Sequence, residues 1–390
     1  MADRREYELA VIGLGGIGSG ALYWASRRLG QDVLGIERFE IGHERGASQD
    51  HSRIIRLSYH APEYVRFAQD SYSAWAALEE DAAERLIVKT GGLDFWPEGS
   101  IIAMDDYTKS LDACGIAYEV LDSAETMRRW PQVRIADDVR VMYQADSGVA
   151  PAAKCNAAHI RMAREHGAAI IDRSPVSAIR EAGEDFEIDA GERTYRAHRL
   201  VICADAWTND LLEQFGHRVN LTVTQEQVVY YASDDQASVQ PDRFPIWIWM
   251  DEPSYYGLPS YDGSGVKIGQ DVGGHEVTGD TRSFDADPAY TARLDAFMQE
   301  HFPDAFGPHI KIKTCLYSMP PDREFILDFI PGRERAVVGQ GAAHAFKFAS
   351  VYGKSLVELA IDQKTESDVS AFSIDREILT MDDPPRSFMV

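Results

Sequence analysis

One stretch, Tyr7 to Gly30, constrains this chain more than any other; it reads Y-E-L-A-V-I-G-L-G-G-I-G-S-G-A-L-Y-W-A-S-R-R-L-G. An apolar run, Leu9 to Ile12, stops at Gly13. Gly15 and Gly18 then lead into a stretch of helical composition with Arg27 and Arg28 in its last turn and Gly30 after it. Gly13 permits a tight exit from a strand, Gly15 lets backbone approach a diphosphate, and Gly18 lets helix and sheet pack closely. The helix N-terminus adds unpaired N–H groups and partial positive charge for the anion. A second strand, Asp32 to Ile36, ends in Glu37, about twenty residues beyond the glycines, where a carboxylate accepts ribose hydroxyls and repels a 2′-phosphate. A glycine triplet alone is a weak signal; strand, helix and acid in register make it a dinucleotide turn.

At 390 residues the chain has room for two domains or so. Acidic residues outnumber basic ones 63 to 39, a net charge of −24. That balance disfavours nucleic acid and anionic membranes and reads as a solvated acidic surface. No apolar stretch approaches the ~20 residues of a membrane span, and the start, M-A-D-R-R-E, lacks a signal-type apolar region. The expected setting is the cytoplasm, as a monomer or small homo-oligomer. Cys114, Cys155, Cys203 and Cys315 show no C-x-x-C spacing and the histidines form no H-E-x-x-H, so neither a disulfide framework nor a metal is expected. Read alone, these cysteines are small apolar fillers.

The polar connection after Glu37 closes on Arg53 and Arg56, whose i, i+3 spacing fits one face of a helix with Ser52 as its N-cap. Without further information they read equally as surface arginines. Tyr64 to Glu80 has helical periodicity, Leu86 to Phe95 strand composition, and Thr108 to Cys114 with a helix near Ser123 to Arg129 forms a small α/β excursion. A helix over Ala152 to His166, short strands at Ala168–Ile171 and Val176–Ile179, and a buried strand at Arg199–Ala204 return to βα units. From Leu221 to Gln270 the pattern alternates and predicts an antiparallel sheet. A helix at Tyr290–Glu300, strands at Ile310–Tyr317, Phe325–Phe329 and Ala336–Gly339, and a helix at Phe348–Ile361 complete the chain. The order predicts an α/β fold in which a Rossmann-type dinucleotide domain is interrupted by an α+β substrate domain.

The motifs V-I-G-L-G-G-I-G, S-R-I-I-R, D-S-G-V, Val201-Ile202 leading to A-W-T-N-D-L-L, G-V-K-I-G, K-T-C-L-Y and H-A-F-K-F occur in that order. Together the chain resembles the monomeric sarcosine oxidase and N-methyltryptophan oxidase family of flavoproteins over almost its whole length. The resemblance implies FAD, joined through its 8α-methyl to Cys315. It implies an FAD-binding domain over 1–85, 145–215 and 320–390 and a substrate-binding domain over 86–144 and 216–319. Arg56 and Lys347 match positions that bind a substrate carboxylate, and Lys267 matches a lysine that promotes reaction of reduced flavin with O₂. Tyr256 and Tyr317 match pocket tyrosines, and His344 a flavin-loop histidine. Ser52 and Arg53 match residues lining the flavin ring or its approach. With Gly13, Gly15, Gly18, Glu37 and Val176 these form the expected cofactor contacts.

The sequence departs from the family at three places. Asp271 stands where sarcosine oxidase has histidine, which implies a preference for a substrate with an extra cationic or hydrogen-bonding group. The loop before Lys347 is Gly341-Ala342-Ala343-His344-Ala345, with alanines in a usually glycine-rich stretch, and Asp205 replaces the glycine of G-A-W. Trp247, Trp249 and Tyr255 line the amine side or belong to the core. The expected activity is oxidation of a secondary-amine (N-methyl or cyclic) amino acid, a small-molecule substrate, with O₂ reduced to H₂O₂. Alternatives of the same fold are a primary, D-amino-acid or glycine-type oxidase and a flavin dehydrogenase. An NAD-dependent dehydrogenase would leave K-T-C-L-Y and H-A-F-K unexplained, and a non-catalytic flavoprotein would need neither Lys267 nor the paired cations.

Overall fold

Leu9 and Val11 point to one side of the first strand and Ala10 and Ile12 to the other, and the two sets are buried in separate apolar clusters. Burial on both faces is the mark of an interior parallel strand. In the computed structural model, which describes residues 4–385 and 387, this strand, β1 (Glu6–Ile12), has a parallel neighbour on each side.

The opening unit is completed by α1 (Gly16–Leu29) and β2 (Val33–Ile36). Next come β3 (Arg53–Ile55), α2 (Pro62–Ala82), β4 (Val88–Lys89), β5 (Gly92–Trp96), α3 (Met104–Ala113), β6 (Glu119–Leu121), α4 (Ser123–Arg129), β7 (Arg140–Gln144) and β8 (Gly148–Ala150). The chain then runs through α5 (Ala152–Glu165), β9 (Ala169–Ile171), β10 (Val176–Ala182), β11 (Asp185–Ala190), β12 (Arg193–Ile202) and α6 (Thr208–Leu212). A β-rich passage follows: β13 (Thr222–Tyr231), β14 (Ile246–Trp249), β15 (Tyr255–Leu258), β16 (Val266–Gln270), β17 (His275–Glu276), α7 (Pro288–His301) and β18 (His309–Met319). The last elements are β19 (Ile326–Ile330), β20 (Arg333–Gln340) and α8 (Ala349–Asp362).

The first sheet has the order β10-β11-β12-β1-β2-β9, with β20 beside β12 and β19 beside β20. Its centre is parallel, and β10/β11 and β19/β20 are antiparallel hairpins. Helix α1 lies between α5 and α8. Absent side chains set these distances: a Cβ on Gly18 would fall 1.8 Å from the Gly13 carbonyl oxygen, and one on Gly20 would fall 2.4 Å from that of Ala349.

The second sheet has the order β17-β13-β16-β15-β14-β5-β7-β6, with β18 on β13. Its pairs are antiparallel except β14 with β5. Period two sorts its residues. Val229, Tyr231, Trp247, Tyr255, Val266 and Ile268 face α7 and form a core cluster with Leu294, Phe297 and Met298. The alternate residues, among them Ile248, Tyr256, Leu258, Lys267, Cys315 and Tyr317, turn the other way and line a cavity. Trp247 stacks on Phe302 and Tyr255 on Phe297, each with centroids 4.2 Å apart, and Trp249 packs against the same cluster, so this aromatic trio is core and not part of the amine side.

The helix expected from Ser52 through Arg56 is a strand. β3 pairs with β8, placing Arg53 opposite Ala150 and Ile55 opposite Gly148 in a three-stranded sheet with β4. Adjacent β-branched Ile54 and Ile55 favour that conformation, and Ser52 caps nothing. By contrast α2 and α4 lie where periodicity predicts, α4 with Asp122 accepting the Glu125 N–H at 2.8 Å.

Candidate active site

Two cavities meet at Gly15, Ala47, Ser48, Cys203 and Asp205. Gly13, Gly15, Glu37 and Val176 line the first. Gly15 is the N-cap of α1 and offers no side-chain cap, so the first-turn N–H groups are free for an anion. Gly18 lies behind the turn against Gly13. Glu37, at the end of β2, accepts the Leu14 N–H at 2.8 Å and the Phe39 N–H at 3.0 Å. Burial pushes its carboxyl up, but His43 and these two N–H groups outweigh it and hold the group below the usual range. Oε1 also meets His43 Nε2 at 3.3 Å, and Oε2 keeps a lone pair for another donor. A free helix terminus, an ionised acid at the second strand and a left-handed Gly13 (φ 86°) fit a dinucleotide.

The second cavity gathers the cations. Arg56 follows β3, with its guanidinium 4.7 Å from the Tyr59 ring centroid and Nη1 3.9 Å from Asp94 Oδ1. Lys347, in the turn before α8, lies 5.7 Å from the same ring and donates to the His344 carbonyl at 2.9 Å. The Lys347 carbonyl accepts from Ser71 Oγ at 2.5 Å and Trp75 Nε1 at 2.8 Å, which fixes the turn to α2. Its ammonium forms no ion pair among the described residues, and burial, then Arg56, hold it well below the usual lysine range.

Lys267 and Asp50 form a buried pair with Nζ–Oδ2 2.6 Å, and Nζ also donates to the Ser52 carbonyl at 2.7 Å. Tyr230 donates its hydroxyl to the Asp50 carboxylate at 2.8 Å, and Arg53 adds a contact at 3.2 Å. Arg53 also ties down the Ala47, Gln49 and Ser52 carbonyls, shaping the loop that joins the cavities. Cys315 lies on the inner face of β18. Burial pushes its thiol up to about 11, opposed first by Arg53 and then by Lys267. The lysines nearest in sequence are occupied elsewhere: Lys313 pairs with Glu44 and Lys311 sits 4.1 Å over the Tyr230 ring.

On the remaining wall Tyr317 donates to the Tyr256 hydroxyl at 3.4 Å, and Asp271 is held by Arg323. His344 stacks on Phe325, with Nε2 3.0 Å from the Arg323 carbonyl; burial and Lys347 push it well below its ordinary range, so the ring is neutral. Ala342 and Ala343 keep left-handed backbone, φ 47° and 72°, despite their side chains.

Of the residues singled out in the sequence, Arg53, Arg56, Lys267, Lys347, Tyr256, Tyr317, Asp271, Cys315 and His344 line this one cavity. Ser52 does not; it meets the site through its carbonyl. Sequence reasoning missed Asp50, Tyr59, Asp94 and Arg323. Asp50 and Tyr59 sit three residues from Arg53 and Arg56, a local signal, whereas Asp94 and Arg323 carry none. Gln49 and His51 brace the site: Gln49 donates to the Thr314 carbonyl at 2.8 Å beside Cys315, and His51 Nε2 lies 3.1 Å from the Tyr261 carbonyl.

Fold and site together define a dinucleotide-binding protein whose second, cationic cavity opens from the cofactor's own. Residues 8–359 match the family model described as DAO, FAD dependent oxidoreductase, and the chain belongs to that family. It is 30% identical over 386 residues to monomeric sarcosine oxidase of Arthrobacter sp. (strain TE1826), covering 97% of this chain and 98% of that one. It is 28% identical to N-methyl-L-tryptophan oxidase of Escherichia coli (strain K12 / DH10B), covering 95% and 99%. The solved structure of NikD, an unusual amino acid oxidase essential for nikkomycin biosynthesis, superposes with a TM-score of 0.84 at 25% identity over 99% of each chain. L-proline dehydrogenase from P. horikoshii shares the fold, with a TM-score of 0.82 at 17% identity, over 95% of this chain and 97% of that one. No helix among the described residues is long and apolar enough to cross a membrane, and no cluster of metal-binding side chains occurs among them.

Proposed function

We propose that this protein is a flavin-dependent oxidase of a secondary-amine amino acid, N-methyl or cyclic. The observation that carries this reading is the convergence of Arg56 and Lys347 on the Tyr59 ring, in a cavity continuous with the dinucleotide site. A guanidinium grips a carboxylate through two N–H groups and an ammonium adds a point charge. Two buried cations beside each other are costly, and an acidic substrate relieves that cost.

The substrate carboxylate docks on Arg56 and Lys347 and sets the amine towards Tyr256 and Tyr317. The surrounding cations disfavour a further positive charge, so the amine binds neutral, and neutral His344 does not compete for the carboxylate. When bound, FAD would supply the redox chemistry, a two-electron oxidation of the carbon next to nitrogen with O₂ reduced to H₂O₂. The released imine hydrolyses in water. Lys267 places positive charge where reduced oxygen develops negative charge. Asp271 selects among amines.

Cys315 is the point of covalent flavin attachment, with Arg53 and Lys267 favouring its thiolate. Residues 1–85, 145–215 and 320–390 form the cofactor-binding domain and 86–144 and 216–319 the substrate domain, with 1–3, 386 and 388–390 of the first lying outside the described residues. No disulfide joins Cys114, Cys155, Cys203 and Cys315, which fits a reducing compartment such as the cytoplasm.

Acid precipitation of the purified protein tests the cofactor reading: a yellow pellet is expected, and Cys315→Ala should send the colour into the supernatant. A colourless protein would sink it. A panel of N-methyl and cyclic amino acids, read as bleaching of the flavin band and as peroxide, tests the activity.

A further inference from the structure

Asp50 is the most over-determined side chain of the site. Its backbone stands at φ 101°, a region that side chains disfavour, and its carbonyl accepts the Ala153 N–H at 3.1 Å. Its carboxylate, 2% exposed, takes hydrogen bonds from Lys267, Tyr230 and Arg53. Strain of this kind persists only where the surroundings enforce it, and it gathers at functional positions.

We infer that Asp50 is the positioning residue for Lys267: its carboxylate fixes both where the ammonium stands at the cavity wall and that it stays charged. The inference rests on the oxygen role proposed above for Lys267.

The argument is one of charge sharing. The groups facing Lys267 are Asp50 and Arg53 from β3 and the loop before it, Tyr230 from β13, and Cys315 from β18; Leu258, opposite it on β15, is apolar. Two cations and one carboxylate leave this group with a single net positive charge. Remove the carboxylate, and the cheapest way to keep one charge is for Lys267 to lose its proton, because an arginine beside it does not. Net charge would be unchanged, but it would sit on Arg53 alone. With Asp50 present, burial and Arg53 draw Lys267 down to about 8 and Asp50 opposes them. Ser52 O and Asp50 Oδ2 take two of the three ammonium hydrogens, which leaves one donor for the cavity.

The test compares the flavin-loaded wild type with Asp50→Asn, Lys267→Met and the double variant Asp50→Asn/Lys267→Arg. The primary readout is the titration of the Lys267 ε-nitrogen in ¹⁵N-lysine-labelled protein, assigned by its absence in Lys267→Met. It should have its half-point near 8 in the wild type and at least one unit lower in Asp50→Asn. Re-oxidation of photoreduced flavin by O₂ should follow the same curve, falling at least about fivefold at pH 8 in Asp50→Asn. Anaerobic reduction by amine should change less than threefold. In the double variant, arginine at position 267 should restore the O₂ reaction lost in Asp50→Asn up to pH 10, since a guanidinium keeps its proton. If Asp50→Asn does not fold, Asp50→Glu, which keeps the charge, should retain the half-point within half a unit. A titration unmoved by Asp50→Asn, or moved as far by Asp50→Glu, overturns the inference. A Lys267→Met protein that reacts with O₂ at the wild-type rate overturns the oxygen role instead, and the titration still judges what Asp50 does to the charge.

Discussion

Asp271 and Arg323 face each other through two parallel hydrogen bonds, 2.8 and 3.1 Å long, at the wall of the substrate cavity. Arg323 stands at φ 58° on a turn, 6% exposed, with its Nε buried and unbonded. Asp271 therefore has two tasks, one facing the cavity and one neutralising a buried guanidinium. Asp271→Asn should remove the second and lower stability by about 3 kcal/mol, because it strands a buried charge. Adding Arg323→Met should recover at least half of that. Urea midpoints of the three variants measure it. The ratio of peroxide formed from sarcosine to that from bulkier N-methyl amino acids should also rise in Asp271→His, and an unchanged ratio would count against a selective role for this position.

Lys347 predicts opposite effects on activity and stability. Lys347→Met removes a buried cation that has no ion-pair partner among the described residues and should stabilise the substrate-free protein by about 1–3 kcal/mol. The same change should lower kcat/KM for an acidic amine about a hundredfold or more, since a buried charged contact is worth about 2–5 kcal/mol. Thermal unfolding and steady-state kinetics on one preparation check both signs, and a joint loss would point to a merely structural lysine.

Ala343 sits at φ 72°, where a Cβ costs about 1–2 kcal/mol. Ala343→Gly should relieve that, offset by the greater freedom of glycine in the unfolded chain, for a net gain of about 0.5–1 kcal/mol. A urea midpoint that falls would show that the methyl group packs usefully.

Asp205 gives a pH signature. Burial pushes its carboxyl from 3.8 up to about 6, although Ala206, Ala47 and Gln340 donate to it. Between those two values the folded state holds a proton that the unfolded chain has released, so stability falls as pH rises through that window, and the cost is fully present above 6. Asp205→Asn should abolish this component, making the variant the more stable by about 1–3 kcal/mol at pH 7 while leaving the two proteins closer at pH 4. Denaturation midpoints across that range would decide it.

Much of this molecule is legible in the residues because local periodicity and turn chemistry agree. The opening strand, turn and helix follow from Leu9–Ile12 and the glycines, and α2, α4 and α7 from apolar spacing. What escapes has a physical reason. Arg53 and Arg56 satisfy helical spacing, but β-branched Ile54 and Ile55 and a partner strand almost a hundred residues away decide for β. The alternation of Trp247 and Trp249 shows that one face is buried without saying which face is the site. Lys267 meets Asp50 across 217 residues, a pairing that no local pattern encodes. Residue types could name Lys267, Arg56 and Asp271; only the folded chain supplies the partners, Asp50, Asp94 and Arg323, that balance them.

The central strands β1, β12 and β20 stand side by side although long stretches of chain separate them in the sequence. A nascent chain emerging from the ribosome thus holds its first strand and helix incomplete until the closing helix α8 can lie against Gly20. A chain cut short before α8 would leave that face of α1 uncovered and present bare apolar surface to chaperones and proteases.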